Sequence, residues 1–496
     1  MTMIPIRRNV PVKGMNTVVP ERSITEEYSQ LLENIWYDDG ITLRRRLCHS
    51  VANVSAIPGG DVKNIFEYSY RGVTKLFIQA ANGTLYIDNG STFTSFRVMP
   101  FVRPIGSAML KSYMIFSDGA LAARKYDGTG DTPITTPPSA PGDSTIGYIF
   151  HVHKGRCYAA GNSAWPLTVF ISDTFTSSGV DYWSTTASAT GERGYFIDIT
   201  GDIGNGDVIT GITTHRGFLV VLCRNHILFY SISESSSGFN TSLYKAIEGD
   251  GCIDHKSIQS IGEEVIFLAP NGFKKLSLSL IQGDSQVSSI STPINNDVKA
   301  EVSSPSFISA YAYSTYNPKY GLYVCNVGNV QWVYQVQFDG WFKWVGMNPV
   351  LFTDSNLDTY ASGAYQCKLL HSVFQDELTP GVFTPVNMKW DVASFRATSL
   401  EHKPRWRKVE FLYETGSTSD SITIGYFRDL DVLMPIVSAA YTLTPTKTLA
   451  NGLKAGRLEL PITGRSELIS FNLSNNNNSD FRMKIVEVYM NDGGIR

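Results

Sequence analysis

No charge of one sign predominates in this chain: 42 Lys and Arg stand against 45 Asp and Glu, and charged residues make up only 18%. A protein that grips nucleic acid along a basic face carries a strong positive excess, so a repressor or a polymerase is excluded. A duct through which DNA slides is not, because it must avoid sticky patches. Paired cysteines are also missing. Cys48, Cys157, Cys223, Cys252, Cys325 and Cys367 stand singly, with no Cys-x-x-Cys. They read as small buried hydrophobes in a reducing compartment, without a disulfide framework. No apolar run is long enough for a membrane span, since the best one, residues 218–230, is broken by Arg224, Asn225 and His226. No apolar segment follows Arg7 and Arg8 to make a secretory signal, so assembly in a cytoplasm is expected.

Catalytic motifs are absent too. There is no Gly-x-Ser-x-Gly elbow and no Gly-x-x-x-x-Gly-Lys phosphate loop, and the chain is expected not to be an enzyme. No cofactor and no metal is expected. Helical periodicity is scarce. One helix is predicted over residues 23–32, with Ser23 as N-cap, Glu26 three residues on and Glu27 in the first turn.

What the chain has is strand-forming sequence. The 25 Tyr and 26 Phe, with many Thr, Val and Ile, are punctuated by Gly and Asn. Residues 251–278 are typical: a polar stretch, an apolar run at 265–268, a Pro270-Asn271-Gly272 tip and a returning strand at 273–278. Asn-Gly supplies the positive φ that a tight turn needs. Similar hairpins turn at Asn82-Gly83, Asp118-Gly119, Gly161-Asn162, Arg224-Asn225 and Gly328-Asn329. About six such units over residues 57–370 predict an all-β chain containing a β-propeller of about six blades, although no per-blade signature recurs. Pro380, Gly381 and Pro385 then mark a change to long alternating strands at 407–413, 421–427 and 481–490. The expected organisation is an N-terminal arm (1–56), a propeller (57–370) and a C-terminal β-rich platform (371–496), completed by the N-terminal arm. The run Asn475 to Asn478 reads as a solvated loop.

Several residues carry candidate chemistry. Arg44, Arg45 and Arg46 form the densest basic cluster, suited to acidic groups on a neighbouring subunit or to a DNA backbone. Arg405, Trp406, Arg407 and Lys408 combine an aromatic with alternating cations, a composition found at interface hot spots and on charge-protected sheet edges. His151 and His153 share a strand face but have no third ligand nearby for a metal. Asp198, Asp202 and Asp207, and separately Asp127 and Asp131, lie in Gly-rich loops without the ordered spacing of a calcium loop. They read as solvated turns, and nothing sets the separation a glycosidase acid and base would need.

Five stretches resemble, in order, the tail-nozzle (tail-hub, packaged-DNA-stabilisation) proteins of short-tailed bacteriophages: residues 39–44, 212–221 with 227–231, 251–272, 337–344 and 403–409. The family often continues Pro-Gly after the first arginine, where this chain has Arg45-Arg46. The resemblance implies a homo-hexameric ring in the virion, below the portal and adaptor connector proteins, that retains packaged DNA and conducts it during ejection. It also implies docking of spikes, fibres or a plug. Lumen loops are expected to be neutral to acidic, so that DNA slides. The alternative is a glycan-binding or glycan-cleaving propeller at the tail tip, using carboxylate pairs or stacked aromatics.

Overall fold

The computed structural model describes residues 3–38, 42–99, 103–134, 138, 145–174, 182–189, 191–235, 238–278, 285–304, 311–396, 404–429 and 437–491. Strands take 56% of the chain and helices 5%, so the all-β expectation holds. Five successive antiparallel four-stranded sheets cover residues 62–98, 106–133, 149–198, 209–248 and 259–289. A further free-standing blade closes the ring, and with it the expected propeller of about six blades is formed. Its strands Val350–Thr353, Thr359–Ser362 and Cys367–Leu370 are completed by Cys48–Val51 from the N-terminal arm, in the register Cys367↔Val51 to Leu370↔Cys48. Between the fifth and closing blades sits one more four-strand unit, residues 314–345, which is continuous with the platform.

The first strand of each unit lies innermost. Bonds between these inner strands run from His151 and His153 to Thr214, from Gln259 to Ser314 and from Thr315 to Thr353. Blade sequences look uniformly apolar because both faces of a blade are covered. In Phe218–Cys223, Leu219, Val221 and Cys223 pack with Ile149 and Tyr158 of the third blade. Val220 and Leu222 pack with Val265 and Phe267 of the fifth. Each such side chain removed from water stabilises the ring by about 1.5–3 kcal/mol.

The platform is two sheets face to face. The strand Gly340–Val345 continues sideways through Leu32–Glu33, Met388–Arg396, Leu468–Asn475, Asp420–Arg428 and Val437–Leu443, making nine strands in all. The second sheet orders Ile35–Tyr37, Leu43–Arg45, Phe481–Asn491, Arg405–Thr415, Lys454–Pro461 and Lys447–Thr448, with Ile4–Asn9 on Phe481–Asn491. Phe411 of one sheet meets Phe471 of the other edge-on, with ring centroids 5.7 Å apart.

The helix expected over 23–32 does not form. The segment holds one 3-10 turn, Glu21–Ser23, and then crosses the platform as a strap. Its backbone groups find tertiary partners instead of helical ones: Lys13 N donates to Glu27 O, Asn16 N to Ser29 O and Asp391 N to Leu31 O. The loop expected at Asn475 to Asn478 begins one residue later, with Asn476 and Asn478 exposed. Asn475 ends a strand and is buried, and its amide nitrogen donates to Ser421 O at 2.7 Å. No helix among the described residues is long and apolar enough to cross a membrane.

Candidate functional site

Arg44, Arg45 and Arg46 are all buried, at 6%, 2% and 2% exposure. An interface with a neighbouring subunit is therefore not open to them; all three are used inside the chain. Arg44 grips Asp480 with two bonds of 3.0 Å and also meets Asp38. Arg45 donates to Phe374 O, Asn477 O and Asn475 Oδ1, and burial lowers its pKa. Arg46 holds Asp376 in a fork and Asn34 Oδ1 at 3.0 Å. Asp376 also accepts from His49 N and meets His49 Nδ1 at 2.8 Å. Burial alone would raise the Asp376 pKa; the His49 and Arg46 contacts outweigh it and hold the carboxyl well below the usual range. The triplet thus ties the N-terminal arm to the hairpin Gln375–Thr379 and Val382–Pro385 and to the platform. Asp39, Gly40 and Ile41, which precede it, and Lys403 lie outside the described residues.

The second expected cluster divides. Trp406 is fully buried, its indole N–H donating to Ser466 Oγ at 2.8 Å. Lys408 is half-buried over the Tyr489 ring at 4.5 Å and pairs with Glu410 and Glu459. Arg407 is half-buried, and only Arg405 is exposed. Trp406 is thus a core anchor and not an interface hot spot.

His151 and His153 both reach Thr214 Oγ1, at 2.7 and 2.9 Å. Burial pushes each ring down to about 4, so both are neutral near pH 7. Among the described residues no group of three His, Cys, Asp or Glu side chains could hold a metal ion. The carboxylates of the aspartate loops have partners within the chain, Asp202 accepting from the Tyr230 hydroxyl and Asp207 being buried. Asp127 accepts from Thr129 N and Gly130 N, Asp198 from Thr200 N, and Asp207 from Arg224 N and Asn225 N. Asp131 pairs with Arg97 and Arg124. All six cysteines are free and buried.

The polar cluster that sequence reading missed lies on the propeller axis. Asp254 caps the 3-10 turn His255–Ser257 by accepting from Lys256 N, and it also accepts from Ala312 N. The turn projects Lys256 across the ring. Its Nζ donates to Ile105 O at 3.1 Å and Asn64 Oδ1 at 3.3 Å. Asn64 belongs to the first blade and Ile105 leads into the second, whereas Lys256 leads into the fifth. One lysine side chain therefore bridges units that are not ring neighbours, and this mouth of the axis is too narrow for a DNA duplex. Arg103 stacks over Tyr148 at 4.1 Å, and Tyr148 meets His255 edge-on at 5.3 Å. Burial brings the Lys256 ammonium down to about 8, with Asp254 opposing the shift. The signal was present in the sequence as Asp254-His255-Lys256-Ser257, an Asx-capped turn inside an otherwise apolar hairpin unit.

The opposite end of the axis has a different character. The turns between the first and second strands of the first four blades and of the platform-linked unit carry Arg71, Lys111, Lys154, Arg216 and Lys319, all exposed. These five turns are basic, whereas those of the fifth and closing blades, Gly262-Glu263 and Asp354 to Asp358, are acidic.

A separate cleft of about 100 Å³ lies in the platform beneath the N-terminal strap, lined by Glu21, Gln30, Asp391, Phe427, Ser470 and Asn472. Burial, and then the neighbouring Glu21, push Asp391 up to about 7.

No family model matches the chain, and no curated protein does. Among solved structures, YCF48 from Cyanidioschyzon merolae is 10% identical, covering 65% of this chain and 98% of its own, with a TM-score of 0.39. The extracellular domain of a putative one-component system from B. thetaiotaomicron is 12% identical, covering 91% of this chain and 64% of its own, at 0.43. The computationally designed Ika8 protein is 9% identical, covering 64% and 99%, at 0.34. Similarity at this level carries no argument about function.

Proposed function

We propose that this chain is a structural component of a short phage tail. Copies form a ring-shaped nozzle below the portal and adaptor that retains packaged DNA, conducts it during ejection and offers a docking surface for spikes, fibres or a plug. The observation that carries the reading is the order of the resembling segments along the whole chain, from residues 39–44 to 403–409. Their described parts fall on the platform strand Leu43–Arg45, the first three strands of the fourth blade, the axial turn, the strand Gly340–Val345 shared with the platform, and the strand Arg405–Thr415.

The bridged axis sharpens the proposal. Because Lys256 spans the propeller mouth, DNA does not thread the propeller; it passes through the lumen enclosed by a ring of copies. The mechanism is mechanical and electrostatic. A propeller closed by its own N-terminal strand and sharing a nine-stranded sheet with the platform is a stiff wedge, as a ring under pressure needs. The test is a cryo-electron-microscopy map of the purified tail, averaged about its axis. Six copies of this propeller and platform around a DNA-width lumen are expected. Finding the chain at the periphery as a spike or fibre would remove the conduit and leave the glycan-directed alternative.

A further inference from the structure

We infer that the end face of the propeller opposite the Lys256 bridge binds the phosphate backbone of duplex DNA. The inference deepens the conduit reading, since that reading is what selects DNA among polyanions. It stands on a repeated turn. Successive blades are related by rotation about one axis, so all inner strands run the same way and all their following turns emerge at one end. In the first four blades these turns read Arg71-Gly72, Lys111-Ser112, Lys154-Gly155 and Arg216-Gly217. Each cation holds a left-handed backbone, with φ of 48°, 56°, 46° and 51°. Lys319 adds a fifth exposed cation in the corresponding connection of the platform-linked unit.

Left-handed backbone costs a residue with a Cβ about 1–2 kcal/mol, and hairpins usually fill that position with Asn, Asp or Gly. At the opposite end the positive-φ positions of the corresponding turns are held by glycine, as at Gly83, Gly119 and Gly272. Four strained cations at one end, against glycines at the other, are a cost that folding does not require. Such outliers cluster where a surface has a task.

The arc spans four neighbouring blades, and two of its cations have partners within the chain. Arg216 reaches Glu263 of the next turn at 2.6 Å, and Lys154 Nζ donates to Ile232 O at 2.8 Å. The fifth blade interrupts it with Glu263 and Glu264, and the closing blade with Asp354 and Asp358, so the surface is a curved stripe and not a full ring. A stripe of point charges suits a ligand with evenly repeated anions read without sequence preference. A glycan would need free aromatic faces. Here the nearby faces of Tyr70 and Tyr320 lie under Arg71 and Lys319, at 5.1 and 5.2 Å.

The test is binding of the full chain to a random-sequence duplex of about 20 base pairs as salt is varied from about 50 to 200 mM. The four phosphate contacts of the stripe predict a slope of log K on log salt near −3.6, roughly a 150-fold weakening over that range. The variant R71N/K111N/K154N/R216N should flatten the slope by about 0.9 for each cation removed. Because Asn is at home in a left-handed turn, this variant should keep or raise Tm. The single variants R71N and K154N, each flattening the slope by about one contact, provide the same reading if the fourfold variant is poorly folded. Absence of DNA binding at low salt, an unchanged slope in the variants, or charge-dependent binding of a sulfated polysaccharide in place of DNA would each overturn the inference. Such failure leaves the nozzle reading to the tail map. DNA binding by a chain found off the tail axis would keep the surface and remove the conduit.

Discussion

Asp391 and Asp376 lie some fifteen positions apart in the sequence and are driven in opposite directions by their surroundings. Asp376 has a guanidinium and an imidazole on it, so it is ionised, and breaking that set would strand a buried charge at a cost of about 3–5 kcal/mol. Asp391 has Glu21 near it and little water, so its folded pKa rises to about 7 from an unfolded value of about 3.9. Between those values the native state holds a proton that the unfolded chain has lost. Stability therefore falls as pH rises from about 4 to about 7 and stays lower above. Asp391→Asn should raise Tm by a few degrees at pH 8, on the order of 1–3 °C, and change little at pH 4, as read by thermal melts across pH. An equal effect at both pH values would show that Asp391 is not protonated in the native state. Residue type alone could not separate the two aspartates, because only their neighbours differ. The arginine triplet makes the same point: a basic run reads as surface until the acids that cover it are brought in from 38, 376 and 480.

Strands were legible wherever a turn announced them. Each hairpin tip expected from Gly, Asn or Asp joins two observed strands, as at Asn82-Gly83 and Asn271-Gly272. The closing blade was not among them. Its first turn, Asp354 to Asp358, carries no glycine, and its outer strand comes from about three hundred residues upstream. That outer strand is a point of leverage. His49 N and Val51 N face Asp376 and Glu377, so Ser50 N faces the inner neighbour Cys367–Leu370. Ser50→Pro should remove that ladder bond and cost roughly 1–3 kcal/mol, lowering the denaturant midpoint. An unchanged midpoint would show that closure by Cys48–Val51 contributes little. The predicted helix at 23–32 failed for the converse reason. A capping box is a local signal, and a strap whose N–H and C=O groups are satisfied by other segments has no need of the helical bonds.

At the scale of the whole molecule, propeller and platform share one sheet and one hydrophobic cluster, which runs from Ile65 and Leu268 to Phe411 and Val488. Calorimetry should therefore give a single unfolding transition with equal calorimetric and van't Hoff enthalpies. Two resolved peaks would mean that the shared sheet does not couple the parts. The amino-acid sequence by itself determined the all-β class, the approximate blade number, the unpaired cysteines and the change of texture after residue 370. These follow from alternation, turn chemistry and composition, which act over a few residues. Only the tertiary structure decided that the N-terminal arm closes the ring, that Arg44 to Arg46 lie inside, that Lys256 bars the axis and that four cationic turns share one end. Those outcomes depend on which distant segments meet, and desolvation, ion pairing and ring geometry act only once they do.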